Sequence, residues 1–219
     1  VSGGEPLPAT VGRSFAERFG VEICEGYGLT ETSPVATLNK PWARRLGSVG
    51  LPLPGVRVST ADASGRELEA EAEGELVIRG HCVMEGYHNK PEATAAVLRD
   101  QALYTGDIGR IDAEGFVYIV DRLKDLIIRG GENISCLEVE NRAYMHKNVA
   151  EASVFSVPDE ILGERVGMVV YPKGSLDPKA LRDFMAEELA GFKTPERIWL
   201  SPRPLPRLGT EKFDKRTIR

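Results

Sequence analysis

A short glycine-containing loop at residues 26–31 carries the first side chains suited to chemistry. It reads Gly-Tyr-Gly-Leu-Thr-Glu, so two glycines, Gly26 and Gly28, precede the hydroxyl of Thr30 and the carboxylate of Glu31. Backbone amides beside glycine approach a ligand closely, and with a hydroxyl and a carboxylate they suit a phosphate and its magnesium ion. The same composition is also that of a plain turn between a strand and a helix, which turn chemistry alone favours.

A second carboxylate, Asp107, follows a glycine turn in the sequence Tyr-Thr-Gly-Asp. A carboxylate in this position can accept hydrogen bonds from both hydroxyls of a ribose, as acidic residues do in dinucleotide sites. Aspartate also caps turns where no ligand binds, and in isolation that interpretation is the better one.

The densest group of charges lies at residues 121–125 and is followed by a glycine pair, Gly130 and Gly131. Arg122 can fork onto an oxyanion or a ribose, whereas Lys124 offers a mobile point charge. The alternative is a solvated charged linker, which is the usual meaning of a charge run. Near the end, Lys212 lies on a glycine-containing loop and can serve as an electrostatic clamp, or it can belong to a frayed basic tail.

The hydrophobic pattern predicts the elements that position these groups. Apolar residues at four-residue spacing predict a helix at residues 10–19, and a strand is predicted at residues 21–24. Residues 47–121 are typical of a β-rich region, with strands at 56–58, 75–78 and 116–120, a turn at 112–115 and a brief helix near 91–98.

Beyond residue 121 the pattern changes to alternating strands and helices. Ser135 and Glu138 form a capping box for a helix toward residue 144, and Asp177-Pro178 begins another, with one apolar stripe. Strands are predicted at 149–157, 165–171 and 198–200. These elements predict a small α/β domain that folds alone, with its boundary at residues 121–124.

The bulk composition excludes several classes of protein. Of 219 residues, 42% are hydrophobic and 28% are charged, with a net charge of −5, which predicts a folded protein without a nucleic-acid partner. The three scattered cysteines, Cys24, Cys82 and Cys136, indicate reduced thiols and a cytoplasmic location. The apolar runs are too short for a transmembrane segment. The chain begins at Val1 without a methionine, so we expect further sequence upstream.

Taken in order, these motifs resemble the adenylate-forming superfamily of acyl-CoA synthetases, peptide-synthetase adenylation domains and beetle luciferases. The resemblance covers essentially the whole chain. It includes residues 2–8, the loop at 26–31, a structural core motif at residues 74–80 with Gly86-Tyr87, the aspartate at 107, the charged boundary and residues 192–195.

The resemblance implies roles for individual residues. Glu31 is implied to hold magnesium and, with Thr30 and Lys212, to serve adenylation, with Lys124 at a hinge and Gly130-Gly131 against coenzyme A. The other implied nucleotide-binding positions are Gly4, Glu5, Pro6, Gly26, Tyr27 (stacked on adenine), Gly28, Asp107 and Arg122 (both on ribose), and Asn133.

The fold implied is α+β. Residues 1–121 are implied to be the C-terminal, β-rich part of the large adenylation domain, and residues 122–219 the small mobile C-terminal domain. The reaction implied joins a carboxylic acid to coenzyme A by way of an acyl-adenylate formed from ATP and Mg²⁺. Members of the superfamily exceed twice this length, and their phosphate-gripping loop has no counterpart here. We therefore expect a truncated chain that needs the upstream remainder of the large domain and does not adenylate alone.

Alternatives remain at this point. Residues 126–134 look more like fatty- or aryl-acid CoA ligases than amino-acid adenylation domains, but an acyl-AMP ligase that loads a carrier protein is a rival. A non-catalytic nucleotide- or CoA-binding derivative is a third reading, because Leu208 and Glu211 replace the usual hydroxyl residue and glycine around the terminal lysine. The acid itself is not readable from this sequence.

Overall fold

A computed structural model describes residues 1–4, 7–209 and 212–218 of the chain. The fold is mixed α and β, as predicted. It divides into two units, Val1–Leu123 and Lys124–Arg219. The predicted boundary between residues 121 and 122 lies two residues before this division.

The first unit begins with helix α1, Ala9–Phe19, which ends at Gly20 in a left-handed conformation with φ of 66°. A small antiparallel sheet follows, made of β1 (Gly26–Tyr27), β2 (Thr37–Leu38) and β3 (Leu51–Pro52). The strand predicted at residues 21–24 is wrong. Instead, Ser2 makes an isolated parallel bridge to Glu25, and Val21 is exposed.

The larger sheet of the first unit is antiparallel and has the order β4-β5-β7-β6, with β8 on β7. Its core contains Val58, Leu76, Ile78, Leu103 and Val117. The predicted strands are confirmed here, although they extend further than expected. The elements are β4 (Val56–Ala61), β5 (Gly74–Gly80), α2 (Pro91–Val97), β6 (Leu98–Arg99), β7 (Ala102–Ile111) and β8 (Val117–Arg122).

The second unit packs two helices on one sheet. The order is β10-β9-β12-β11, and β13 runs parallel to β12. A single core joins the sheet to the helices, with Val154, Met168, Leu181 and Met185 among its buried members. The elements are β9 (Ile127–Arg129), β10 (Glu132–Ile134), α3 (Cys136–Tyr144), β11 (Val149–Asp159), β12 (Gly163–Pro172), α4 (Pro178–Ala186), β13 (Arg197–Leu200) and α5 (Lys215–Ile218).

Local signals explain both helix starts in this unit. The Ser135 hydroxyl oxygen accepts a hydrogen bond from the Glu138 amide, and the Asp177 carboxylate accepts one from the Lys179 amide. Both caps were predicted. The β9–β10 hairpin was not predicted, because its charged and glycine-rich sequence is typical of a linker. Among the residues that the structure describes, no helix combines the length and apolar character needed to cross a bilayer.

Candidate functional site

Three residues from separate strands of the first unit meet at one carboxylate. Tyr27 lies on β1, Asp107 within β7 and Arg122 at the end of β8, where it is the register partner of Asp107. The Tyr27 hydroxyl donates to Asp107 Oδ2 at 2.6 Å, and Arg122 Nε lies 3.0 Å from Asp107 Oδ1. Asp107 is 4% exposed. The structure thus joins three residues that the resemblance assigned to the nucleotide.

The charges of this cluster fix its protonation. Burial raises the pKa of the Tyr27 hydroxyl, and the negative charge and hydrogen bond of Asp107 raise that pKa further. Tyr27 therefore remains a neutral donor. Arg122 supplies the positive charge that a buried carboxylate requires.

The irregular stretch of β7 that presents Asp107, where the pairing with β5 shifts register, is held by two side chains. Gly106 has φ of 70°, a conformation that favours glycine, and its amide donates to Glu75 Oε1 at 2.9 Å. The Thr105 hydroxyl donates to the Leu76 carbonyl at 2.8 Å and accepts from the Asp107 amide at 3.1 Å. Sequence reasoning missed Glu75, whose only signal was its place inside the structural core motif.

The loop at residues 26–31 leads into a 3₁₀ turn, Thr30–Thr32. Within it, the Thr32 hydroxyl oxygen accepts from the Leu29 amide at 2.9 Å. Gly28 permits a close approach, because a Cβ atom there would lie 2.0 Å from the Pro34 carbonyl oxygen. The backbone of this segment therefore requires glycine at residue 28.

The turn places Thr30 at the surface and leaves Glu31 half-buried. The Tyr87 hydroxyl donates to Glu31 Oε1 at 2.6 Å. This hydrogen bond, together with burial and the negative charge of Glu31, raises the pKa of Tyr87 to about 12. No described residue hydrogen-bonds the other carboxylate oxygen, Oε2. Tyr87 was noted in the sequence only as part of the core motif, so this contact was missed.

The side chains of Thr30 and Glu31 fit a magnesium ion that is bound mainly by nucleotide phosphates. No group of three or more histidine, cysteine, aspartate or glutamate side chains capable of holding a metal exists within residues 1–4, 7–209 and 212–218. Magnesium carried by nucleotide phosphates needs only one or two protein carboxylates and keeps its remaining ligands as water and phosphate. A single carboxylate beside a hydroxyl meets that requirement.

In the second unit, Gly130 and Gly131 form the β9–β10 turn, with φ of 59° and 91°. The Gly130 amide donates to the Leu162 carbonyl at 2.8 Å. The strand before the turn is held by Arg129, whose guanidinium pairs with Glu196 at 2.9 Å. Lys124 and Asn133 are exposed.

Lys212 is exposed on a small hairpin of the second unit. Arg207 and Phe213 form its bridge, and the Leu208 amide donates to the Lys212 carbonyl at 2.7 Å. Arg207 pairs with Glu151 at 2.9 Å, which fastens the hairpin to β11. Three residues singled out from the sequence, Glu5, Pro6 and Glu211, lie outside the described residues.

Comparison with protein families gives two matches. The sequence model of the AMP-binding enzyme matches residues 1–88. The sequence model of the AMP-binding enzyme C-terminal domain matches residues 138–212. The Tyr27 and Glu31 segments lie within the first match, and the Lys212 hairpin lies at the end of the second.

Individual relatives match along the whole chain. It is 42% identical to a long-chain-fatty-acid–CoA ligase of Bacillus subtilis (strain 168), over 100% of this chain and 40% of the relative. It is 40% identical to feruloyl-CoA synthase of an Amycolatopsis species, over 99% of this chain and 45% of that relative. It matches the solved structure of ATP-bound MatB from Rhodopseudomonas palustris with a TM-score of 0.93 and 34% identity, over 100% of this chain and 44% of MatB. The chain therefore spans less than half of each of these proteins.

Proposed function

Because the chain belongs to the family of AMP-binding enzymes, we propose that it is part of an ATP-dependent carboxylic acid–CoA ligase. In the first reaction, a carboxylate oxygen of the acid attacks the α-phosphorus of ATP and pyrophosphate leaves. In the second, the thiol of coenzyme A loses its proton to solvent and its sulfur bonds to the acyl carbon, while the bond between that carbon and the AMP oxygen breaks and AMP leaves with the electron pair. The whole protein catalyses both reactions, and this chain supplies part of the machinery.

The observation that carries this proposal is the buried Asp107 carboxylate, held by Tyr27 and Arg122. A carboxylate offers about four acceptor sites, so Asp107 can receive two ribose hydroxyls while keeping both present partners. Tyr27 then presents its ring to the adenine. The similarity of the whole of this chain to part of ATP-bound MatB supports nucleotide binding by this fold.

Adenylation depends on positioning and on neutralising charge, as phosphoryl chemistry generally does. Thr30 would offer its hydroxyl to the phosphates, and Glu31 would hold the magnesium ion. Magnesium supplies positive charge against the phosphate oxygens when it is bound. Lys212 supplies the mobile cation for the α-phosphate. Its exposed side chain on a fastened hairpin suits that task.

Thioester formation uses a different surface of the second unit. Gly130 and Gly131 present a turn without side chains, against which coenzyme A lies. Lys124 belongs to the hinge about which the small domain turns between adenylation and thioester formation. Asn133 follows this turn on β10 and contacts the nucleotide. Gly4 belongs to the adenine-contacting segment together with Glu5 and Pro6.

The acid belongs to the fatty- or aryl-acid class. The two relatives at 42% and 40% identity are named for a long-chain fatty acid and for ferulate, one from each class. The residues proposed to bind the nucleotide do not distinguish fatty acids from aryl acids, so the experiment below is designed to identify the acid.

The test uses the protein encoded by the complete open reading frame. It is incubated with ATP, Mg²⁺, hydroxylamine and panels of fatty, aryl and amino acids, beside a Lys212→Ala variant and a Lys173→Ala control on another exposed lysine-bearing loop. Hydroxamate from one acid class, lost only in Lys212→Ala, is the expected result. Formation of the CoA thioester from that acid then establishes the second reaction. Absence of hydroxamate with every acid would favour a non-catalytic nucleotide-binding protein.

A further inference from the structure

We propose that Tyr87 is a positioning residue for Glu31, and that it thereby sets how tightly the protein holds the magnesium–nucleotide complex. This inference rests on the proposed function, because it takes Glu31 as the magnesium ligand. It adds a second residue, 56 positions away in the sequence, on whose hydroxyl that ligand depends.

Three hydrogen bonds fasten the turn that carries Glu31 to residues 82–87. The Met84 amide donates to the Glu31 carbonyl at 2.8 Å, and the Ser33 hydroxyl donates to the Cys82 carbonyl at 3.0 Å. Both of these fix the backbone of the turn. The third, from the Tyr87 hydroxyl to Glu31 Oε1 at 2.6 Å, alone restrains the carboxylate itself.

Tyr87 is itself held in place by the start of helix α2. Its amide donates to the Thr94 hydroxyl oxygen at 2.9 Å, and that hydroxyl donates to the Lys90 carbonyl at 2.9 Å. Gly86 lets the segment approach the helix, because a Cβ atom there would lie 2.9 Å from the Thr94 methyl. The Tyr87 hydroxyl is therefore aimed by a fixed backbone.

The physical consequence follows from the two oxygens of one carboxylate. With Oε1 engaged by Tyr87, rotation of the Glu31 side chain is restricted, and Oε2 remains available to a cation. Without the hydroxyl, the carboxylate must lose that rotational freedom when the metal binds, which weakens binding. A hydroxyl that only fastened the loop would have no selective effect on the metal.

The experiment uses the protein from the complete open reading frame and measures binding in the absence of turnover. Calorimetry gives the affinity for ATP as a function of Mg²⁺ concentration and the affinity for AMP without metal. Electron paramagnetic resonance gives Mn²⁺ binding in the presence of ATP. The variants are Tyr87→Phe and Glu31→Gln. Tyr118→Phe is the matched control, because it also removes a tyrosine hydroxyl that donates to a carboxylate, that of Asp112 at 3.1 Å.

We expect Tyr87→Phe to raise the half-saturating Mg²⁺ and Mn²⁺ concentrations about three- to tenfold, the range for immobilising one additional side chain on binding. AMP affinity without metal and the melting temperature should match those of Tyr118→Phe. Glu31→Gln should show the larger loss of metal dependence.

Three results would overturn the inference in distinguishable ways. If Glu31→Gln keeps the metal dependence of the unmodified protein, the proposed role of Glu31 is wrong and the inference fails with it. If Glu31→Gln loses it but Tyr87→Phe behaves like Tyr118→Phe, only the inference fails. If Tyr87→Phe weakens AMP and MgATP equally, Tyr87 merely fastens the loop.

Discussion

At the scale of single residues, one carboxylate organises the nucleotide site that we propose. Asp107 is buried, and each of its oxygens already has one partner: Tyr27 donates to Oδ2, and Arg122 lies against Oδ1. The two ribose hydroxyls must therefore share these oxygens with the two present donors. Four donors need two oxygens that accept two hydrogen bonds each, and aspartate has two such oxygens whereas asparagine has one.

This reasoning predicts the effect of Asp107→Asn in the complete protein. The amide keeps one accepting oxygen, and its NH₂ group then faces either Tyr27 or Arg122 as a second donor. Affinity for ATP should fall about ten- to a hundredfold, as expected for a lost hydrogen bond to a charged group. Calorimetry with ATP, 2′-deoxy-ATP and 3′-deoxy-ATP measures it.

The deoxynucleotides provide the control for that prediction. The unmodified protein should prefer ATP to both analogues, whereas Asp107→Asn should lose most of the preference. If the variant discriminates as strongly as the unmodified protein, Asp107 does not read the ribose, whatever the change in overall affinity.

Single residues of the site were predicted from the sequence, but the contacts between them were not. Asp107, Arg122 and Tyr27 were singled out by their motifs, but the hydrogen bond between Tyr27 and Asp107 joins positions 80 residues apart. Spacing along a chain does not encode such a contact, because it depends on how β1 and β7 are brought together. The Tyr87–Glu31 contact was missed for the same reason.

At the scale of elements, an ionic network joins β9, β11 and β12 of the second unit through Glu196, the residue before β13. Glu196 accepts from Arg129 and from Arg165, and Arg165 also pairs with Asp159 at the end of β11. Arg129 directly precedes the Gly130-Gly131 turn. The glycine turn, which has no side chains to pack, is thus fixed by charges on the strands around it.

The network gives the second unit an acid-dependent stability. The hydrogen bond from Arg165, followed by the Leu162 amide, lowers the pKa of Asp159 to about 2. An unfolded aspartate has a pKa of about 3.9, so the folded chain binds fewer protons between these values. The stabilisation is therefore complete above about pH 4 and is lost as the pH falls through the folded pKa.

Replacing Asp159 by asparagine should remove this dependence. Between pH 5 and pH 3, the melting temperature of the second unit should fall less steeply in Asp159→Asn than in the unmodified chain, as followed by circular dichroism. Asp183→Asn is the control, because it removes an exposed aspartate of the same unit, which pairs with Lys179 one turn away. Equal slopes in all three proteins would contradict the prediction.

Element prediction succeeded where local chemistry was strong. The caps at Ser135 and Asp177 and the strand at residues 149–157, which lies within β11, were predicted from sequence alone. The β9–β10 hairpin was missed, because Arg-Gly-Gly-Glu has the composition of a linker and its pairing partner is Gly163 of β12. The strand predicted at residues 21–24 was wrong for the opposite reason. Its apolar pattern favours a strand, but in the described part of the chain the bridge to Ser2 is made by the next residue, Glu25.

At the scale of the whole molecule, the second unit has a core of its own. Every buried member of that core lies between Ile127 and Leu189, and Ile127, Ile134, Leu181 and Met185 are fully buried. A domain with its own core and complete sheet can fold independently. The proposed division of the chain at the residues around Lys124 therefore has a direct experimental consequence.

We predict that residues 124–219 fold when produced alone. Trp199, which is the single tryptophan of this segment, stacks on Phe155 with ring centroids 5.8 Å apart, so its near-ultraviolet circular dichroism reports the packing of the sheet. The segment should show that signal and lose it in one cooperative transition on heating.

The matched control, residues 136–219, lacks β9 and β10 and with them Ile127 and Ile134. Removing two fully buried isoleucines costs several kcal/mol, a large share of the stability of a domain of this size, so the control should lack the signal. A segment 124–219 that melts without cooperativity would show that its core needs the first unit, and the division of the chain into two folding units would be wrong.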